Sequence, residues 1–288
     1  MIEITYTIAI AALFIASISD LRTREVPDWL NYGLIFSGLF VNFIFSAVYW
    51  DYRYALNSII GLGIFLVFSY IMFYTGQWGG GDSKMLMGLG ALIGIDSSFK
   101  SFPFMASFLL NTLIVGAVYG FFWSISLAIK NRKKFLRKMR NIFADPVLIK
   151  VRRIIMLSSL ILIASLIFIT EIYLKVLVFS LVILFLMTFY LWVFVKAVEN
   201  SCMLKYVLPT QLTEGDWIAK EVKIGGKYIT GPKDLGISKK SIKKLVNFYK
   251  AGKIKKILIK EGIPFVPSFF MAFILTLIAG NFVFWFVG

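Results

Sequence analysis

"YALNSIIGLGIFLVFSYIMFYTGQWGGGDSKMLMGLG", residues Tyr54 to Gly90, decides what kind of protein this is. Its first 28 residues, Tyr54–Gly81, carry no charge. About 20 apolar residues in a helix cross the ~30 Å hydrocarbon layer of a bilayer, so this run predicts a membrane-spanning helix. It ends in three glycines and Asp82, and a second, shorter apolar run, Met85–Ile95, follows at once. A carboxylate behind such loose backbone, between two apolar runs, calls for a physical reason.

The pattern recurs along the 288-residue chain, of which 59% is hydrophobic, against roughly 45–50% in a soluble domain. Uncharged stretches occupy Ile4–Ser19, Trp29–Trp50, Tyr54–Gly81, Met85–Ile95, Ser101–Ile129, Ile154–Thr170, Val176–Val195 and Gly262–Gly288. They predict an all-α polytopic membrane protein with about eight transmembrane segments, one of them short. The first is not a cleavable signal peptide by its flanks, since only Met-Ile-Glu precedes it. Between the last two long runs, residues 200–261 turn polar and read as a small α+β domain on the cytoplasmic side. Trp217–Ile224 and Lys227–Thr230 flank a Gly225-Gly226 hairpin signal, Ser238 opens a helix, and Lys253–Lys260 alternates like a strand. The chain thus divides into a membrane core (1–130), a basic cytoplasmic loop (131–153), a transmembrane hairpin (154–196), the polar domain (200–261) and a last transmembrane helix (262–288).

The net charge is +16. With the N-terminus outside, the inner loops hold 27 Lys and Arg, and the outer loops hold three: Arg53, Lys100 and Lys175. Excess Lys and Arg marks the cytoplasmic side. Topology and contact with membrane lipid therefore account for the basic charge, and no nucleic-acid partner is needed. The absence of His and the single Cys exclude Ser–His and Cys–His nucleophile pairs, HExxH and Cys-rich zinc sites, and any disulfide within the chain. No metal or cofactor is expected. For acid–base chemistry the carboxylates are what is left.

Most of the 15 acidic residues fall in polar loops. Asp20, Glu25, Asp28 and Asp82 all fall near the inner face. An Asp after glycines is an ordinary helix N-cap, and Asp82 fits that reading. Its depth points further. If Asp96 marks the outer boundary, the helix from Asp82 is only about 21 Å long in a ~30 Å core. Asp82 then lies inside the hydrocarbon level, where an ionisable group is costly and marks function. Glycine backbone at that depth must be buried in protein or line a polar cavity, and Gly79 and Gly81 leave room for a substrate backbone to approach. Asp20 ends the first segment at a similar level. Two carboxylates on neighbouring segments suit hydrolysis, one activating water and the other protonating the leaving nitrogen. The start of a helix favours negative charge and its end disfavours it, an asymmetry that separates base from acid. A broken helix with glycines and an aspartate also describes an ion-coupled transporter or channel, but no matching broken segment occurs in the second half.

The motifs then show a resemblance. "GGGD", Gly79–Asp82, matches the GxGD signature of intramembrane aspartyl proteases. "SDLRTREVPDW", Ser19–Trp29, resembles the first-aspartate motif of the type IV prepilin and archaeal preflagellin peptidases, and "GIPFVPSF", Gly262–Phe269, is similar to the segment opening the last helix of archaeal members. The resemblance covers about residues 1–130 and 205–288. It implies that Asp20 and Asp82 are a catalytic pair cleaving short, basic class III signal peptides from prepilins or preflagellins at the cytoplasmic face. It also implies a peptidase without the paired CxxC motifs of many bacterial members, since Cys202 stands alone. The hairpin 154–196 departs from the six-helix pattern of simple preflagellin peptidases and favours a pilin-type substrate. Glu25 and Asp28 share a loop with Asp20 and are candidates for attracting the basic leader, although offsetting Arg22 and Arg24 or capping the second helix also accounts for them.

Overall fold

A computed structural model describes residues 2–96 and 103–281; Lys100, Ser101 and the final stretch 282–288 of the last apolar run lie outside the described residues. Helices α1 (Ile2–Thr23), α2 (Asp28–Tyr49), α3 (Arg53–Tyr74), α4 (Gly80–Ile93) and α5 (Phe104–Lys130) form the first half. Helices α6 (Arg132–Phe143), α7 (Pro146–Ser165) and α8 (Ile172–Cys202) follow, and α10 (Val266–Ala279) closes the bundle after the polar domain. Among the described residues, α1, α2, α3, α5 and α8 are long and apolar enough to cross a membrane. Large apolar side chains such as Phe36, Phe122 and Phe168 face outward on them and their connections. The protein is a polytopic membrane protein.

Helix α4 is the hub. It is apolar on every side because it is enclosed, with Met85, Leu86, Leu89 and Leu92 fully buried. Its neighbours approach through small residues, as membrane helices do. A Cβ on Gly88 would lie 2.9 Å from Leu34 of α2, and one on Gly38 of α2 would lie 2.6 Å from the Leu92 amide nitrogen. The two contacts advance together along both chains, so α2 and α4 run parallel. Against α3 the order reverses, with Gly90 on Phe65 and Gly80 on Phe73. The last carbonyls of any helix have no partner inside it. Here Asn42 of α2 donates from Nδ2 to the Ala91 (3.3 Å) and Leu92 (3.0 Å) carbonyls, and the Ser58 hydroxyl of α3 donates to Ala91. Fourteen residues are too few to span a bilayer, yet they suffice where neighbouring helices satisfy the backbone at the end. A second face of the core joins α1 (Leu13, Ala16), α5 (Met105, Phe108) and α10 (Phe269, Phe273).

The basic stretch 131–153 is helical almost throughout, being α6 and the first turns of α7. Phe135 of α6 is buried with Ala197 and Val198 of α8, while Met139 and Ile142 pack beside them and the Lys and Arg residues take the other face. The apolar spacing within the charge run forms an amphipathic helix rather than a connector.

In the polar domain, strands β1 (Leu204–Val207), β5 (Ile257–Lys260) and β2 (Trp217–Ile218) form an antiparallel sheet in the order β1-β5-β2. Strands β3 (Val222–Ile224) and β4 (Lys227–Thr230) pair separately, and Ser238 caps α9 (Lys239–Lys250). The sequence suggests one strand over 217–224, but the chain changes sheets within it. Ala219 still donates to Leu258 on β5, and Val222 then pairs with Thr230 on β4. Tertiary partners, not a local breaker residue, end the strand. Val207, Leu212, Ile218, Ile237, Leu245, Ile257 and Ile259 make its core. The domain also touches the membrane bundle. A Cβ on Gly76, which has φ +70°, would lie 3.1 Å from the Trp217 ring, so β2 leans on the α3–α4 turn just before the glycines.

Candidate active site

Asp20 lies in the last turn of α1 and is 5% exposed. Its Oδ2 accepts a hydrogen bond from the Val266 amide at 3.0 Å. Val266 is the first residue of α10, so this amide has no acceptor within its own helix, and Pro267 beside it has no N–H at all. The first free amide of α10 therefore points at the carboxylate. Position at the end of α1 suggests an environment poor in positive dipole for Asp20. The start of α10 supplies one from elsewhere in the chain.

Asp82 lies in the first turn of α4 as its third residue, not at the cap. Gly79 is the cap, and the Gly79 amide donates to Asp82 Oδ2 at 3.1 Å. The side chain thus reaches back to close the helix start. Asp82 itself is partly exposed, whereas Asp20 is buried. The two carboxyl groups are near enough to act on each other electrostatically.

The loop between α1 and α2 brings these helix ends together. Arg24 closes α1 through its amide on the Asp20 carbonyl (2.9 Å), with φ +62°, a left-handed conformation uncommon for any residue with a side chain. Its guanidinium is held on both sides, donating to the Gly262 carbonyl at 2.9 Å and lying 5.3 Å from the centre of the Trp123 ring of α5. The Ser19 and Thr23 hydroxyls both donate to the Glu25 carbonyl and fold the loop back. Val26 is then pressed against α4. A Cβ on Gly81 would lie 3.2 Å from Val26 Cβ and 3.4 Å from its nitrogen. Gly81 is a contact point between the loop after Asp20 and the helix turn bearing Asp82. Gly79 meets only the Asp82 carboxylate, at 3.4 Å from its would-be Cβ.

Trp78 joins the third element. It is buried, and its ring lies 5.8 Å from Phe265 and 5.2 Å from Phe269 of the α10 segment. The sequence marks "GIPFVPSF" as a segment of interest and Arg24 as a charge beside Glu25 and Asp28, but gives no role at the site to Arg24, Trp78 or the Val266 amide. Arg24, four residues after Asp20, carried a usable signal; a backbone amide carries none. Of the remaining acidic candidates, Asp28 begins α2 and pairs with Lys84 of α4 at 2.6 Å, and the Lys84 ammonium lies 5.0 Å from the Tyr32 ring. Glu25 is exposed to solvent.

A buried and a partly exposed carboxylate thus lie at one end of a helix bundle, beside glycine backbone, and two carboxyl groups are what general acid–base chemistry uses. Residues 7–121, which include both, match the model of the family described as the type IV leader peptidase family. It is 42% identical over 90 residues to the preflagellin peptidase of Methanococcus maripaludis, covering 31% of this chain and 39% of that protein. The preflagellin peptidase of Methanocaldococcus jannaschii is 39% identical over 90 residues, 31% of this chain and 38% of its own length. That of Methanococcus voltae is 32% identical over 145 residues, 45% and 62% of the two chains. The chain thus spans less than two thirds of each of these relatives.

Proposed function

We propose that this chain is a membrane-embedded aspartic endopeptidase that removes short, basic leader peptides from preflagellin- or prepilin-type precursors. The observation that carries the proposal is the meeting of Asp20 and Asp82 at one end of the bundle, on the two helix turns bridged by Val26 and Gly81. In this reading the aspartate end faces the cytoplasm, in keeping with the Lys and Arg bias of the loops. The precursor's apolar segment lies in the membrane and its leader reaches the polar side.

One carboxylate takes a proton from a water molecule, whose oxygen bonds to the scissile carbonyl carbon while the carbonyl π pair moves onto its own oxygen. The other carboxyl delivers a proton to the amide nitrogen. The carbon–oxygen double bond then re-forms, the carbon–nitrogen bond breaks, and its electron pair leaves with the nitrogen as a free amine. One water is consumed, and the products are a carboxyl-ended leader and an amine-ended mature chain. Burial keeps Asp20 fixed by the α10 amide. The Gly79 amide holds Asp82 at the start of α4.

Asp20→Asn and Asp82→Asn test this directly. Asparagine keeps the shape, and its amide oxygen still accepts from Val266 or Gly79, so both variants should insert and fold with normal melting behaviour. Both should lose cleavage of a synthetic precursor by at least ~10³-fold, as losses of acid–base groups combine proton transfer and positioning. Substantial processing by either variant, in membranes free of the parent protein, refutes the pair.

A further inference from the structure

At the end of α1 that carries Asp20, a cavity of about 320 Å³ opens between α1, α5 and α10. Ser17 and Leu21 of α1, Tyr119 and Trp123 of α5, and Pro267 and Phe270 of α10 line it. Leu21 is the residue after Asp20, and Pro267 follows the residue whose amide binds its carboxylate. Tyr119 and Trp123 are one helical turn apart with ring centres 5.7 Å apart, and Trp123 is the ring that carries the Arg24 guanidinium. Tyr119 lies within electrostatic reach of both Asp20 and Arg24.

The Tyr119 hydroxyl is buried and, among the described residues, has no hydrogen-bond partner. Leaving a buried hydroxyl unpaired is costly, so such a group calls for an explanation. No acceptor lies within hydrogen-bond distance of it. Arg24 has only donors, Asp20 Oδ2 already accepts from Val266, and the Ser17 hydroxyl gives its proton to the Leu13 carbonyl at 2.6 Å. A donor beside a catalytic carboxylate, with no acceptor of its own, suits an acceptor that arrives with the substrate.

We propose that Tyr119 is a catalytic residue that donates a hydrogen bond to the scissile carbonyl oxygen of the precursor. This rests on the endopeptidase reading above. As water adds to the carbonyl carbon, negative charge grows on that oxygen, and a fixed donor stabilises the transition state more than the ground state. Tyr119 keeps its proton throughout; the protons that move are those of the water and the two carboxyl groups. The apolar walls strengthen the bond, because low local polarity raises the worth of each fixed dipole. Packing against Trp123 holds the ring in place.

The test is Tyr119→Phe in the full chain, reconstituted in lipid vesicles, with steady-state cleavage of a synthetic peptide spanning a basic leader and the start of an apolar segment. Loss of one such donor should lower kcat about 10²-fold and leave KM within about threefold. A hydroxymethylene analogue of the scissile bond, which mimics the tetrahedral state, should bind the variant more weakly by a similar factor, while the uncleaved peptide binds equally. Because the hydroxyl has no partner to lose, the melting temperature should stay or rise. A kcat within threefold of the parent overturns the proposal. So does a fall in melting temperature alongside kcat, which would give the hydroxyl a structural partner. Asp20→Asn, run in parallel, separates the two levels: if it cleaves normally, the endopeptidase reading itself fails, whereas normal cleavage by Tyr119→Phe alone removes only Tyr119.

Discussion

Gly81→Ala is the substitution in which the structure makes the sharpest demand. The new Cβ would stand 3.2 Å from Val26 Cβ and 3.5 Å from Val26 Cγ2. Carbon atoms rest at about 3.5–4.0 Å, so Val26 must retreat by a few tenths of an ångström. Val26 is buried and cannot swing into solvent. Its backbone continues into Arg24 and Pro27, so the loop moves as a unit. Two effects on stability oppose each other. Overpacking costs about 1–3 kcal/mol, while alanine in place of glycine in a helix returns about 0.5–1 kcal/mol. The net loss is about 0–2.5 kcal/mol, a modest shift in melting temperature. Activity should suffer more, because the retreat moves the end of α1 relative to α4, and small misplacements of reacting groups cost large factors, up to about 10²-fold for 1 Å. We expect kcat to fall about 10-fold for Ala. Valine brings two more methyl groups into the same gap and should be lower again. The assay is peptide cleavage in vesicles beside a thermal melt. Val26→Gly, which removes the facing side chain, should restore part of the activity in the double variant. Near-parental rates for both Gly81 variants, or strictly additive effects with Val26→Gly, would refute the idea that this contact sets the distance between the aspartates.

Two further outcomes follow from the surroundings of the site. Glu25→Gln should raise KM for a basic-leader peptide a few-fold at low salt and less at high salt, since an exposed ion pair is worth only ~0.2–1 kcal/mol and is screened; Asp28→Asn should act instead through its lost pair with Lys84, and an unchanged KM for Glu25→Gln at low salt removes that residue from leader recognition. Asn42→Leu removes the side-chain donor to Leu92 and one of the two to Ala91, which keeps Ser58, and should lower stability by about 1 kcal/mol, read as a lower melting temperature in detergent, with an undisturbed melt refuting the capping role.

The sequence by itself determined the things that depend on composition over a window. Runs such as Trp29–Trp50 and Tyr54–Gly81 are too apolar and too long to be anything but membrane helices, because a bilayer penalises each charge and leaves no water for loose backbone. The short run after Asp82, set behind three glycines, placed a costly carboxylate at a helix start, and the motifs around Asp20 and Asp82 carried the resemblance to the leader peptidases. What depends on distant partners was not legible. Nothing local says that the chain changes sheets after Ile218, that the carbonyls of Ala91 and Leu92 are met by Asn42 of α2, or that α4 runs parallel to α2 through the contacts of Gly38 and Gly88. The environment of Asp20 is the clearest case. Read along the chain, it ends a helix beside arginines. In the folded molecule, a backbone amide 246 positions away binds its carboxylate. A backbone amide has the same chemistry at every residue, so only the packing of α10 against α1 could select which one faces the acid.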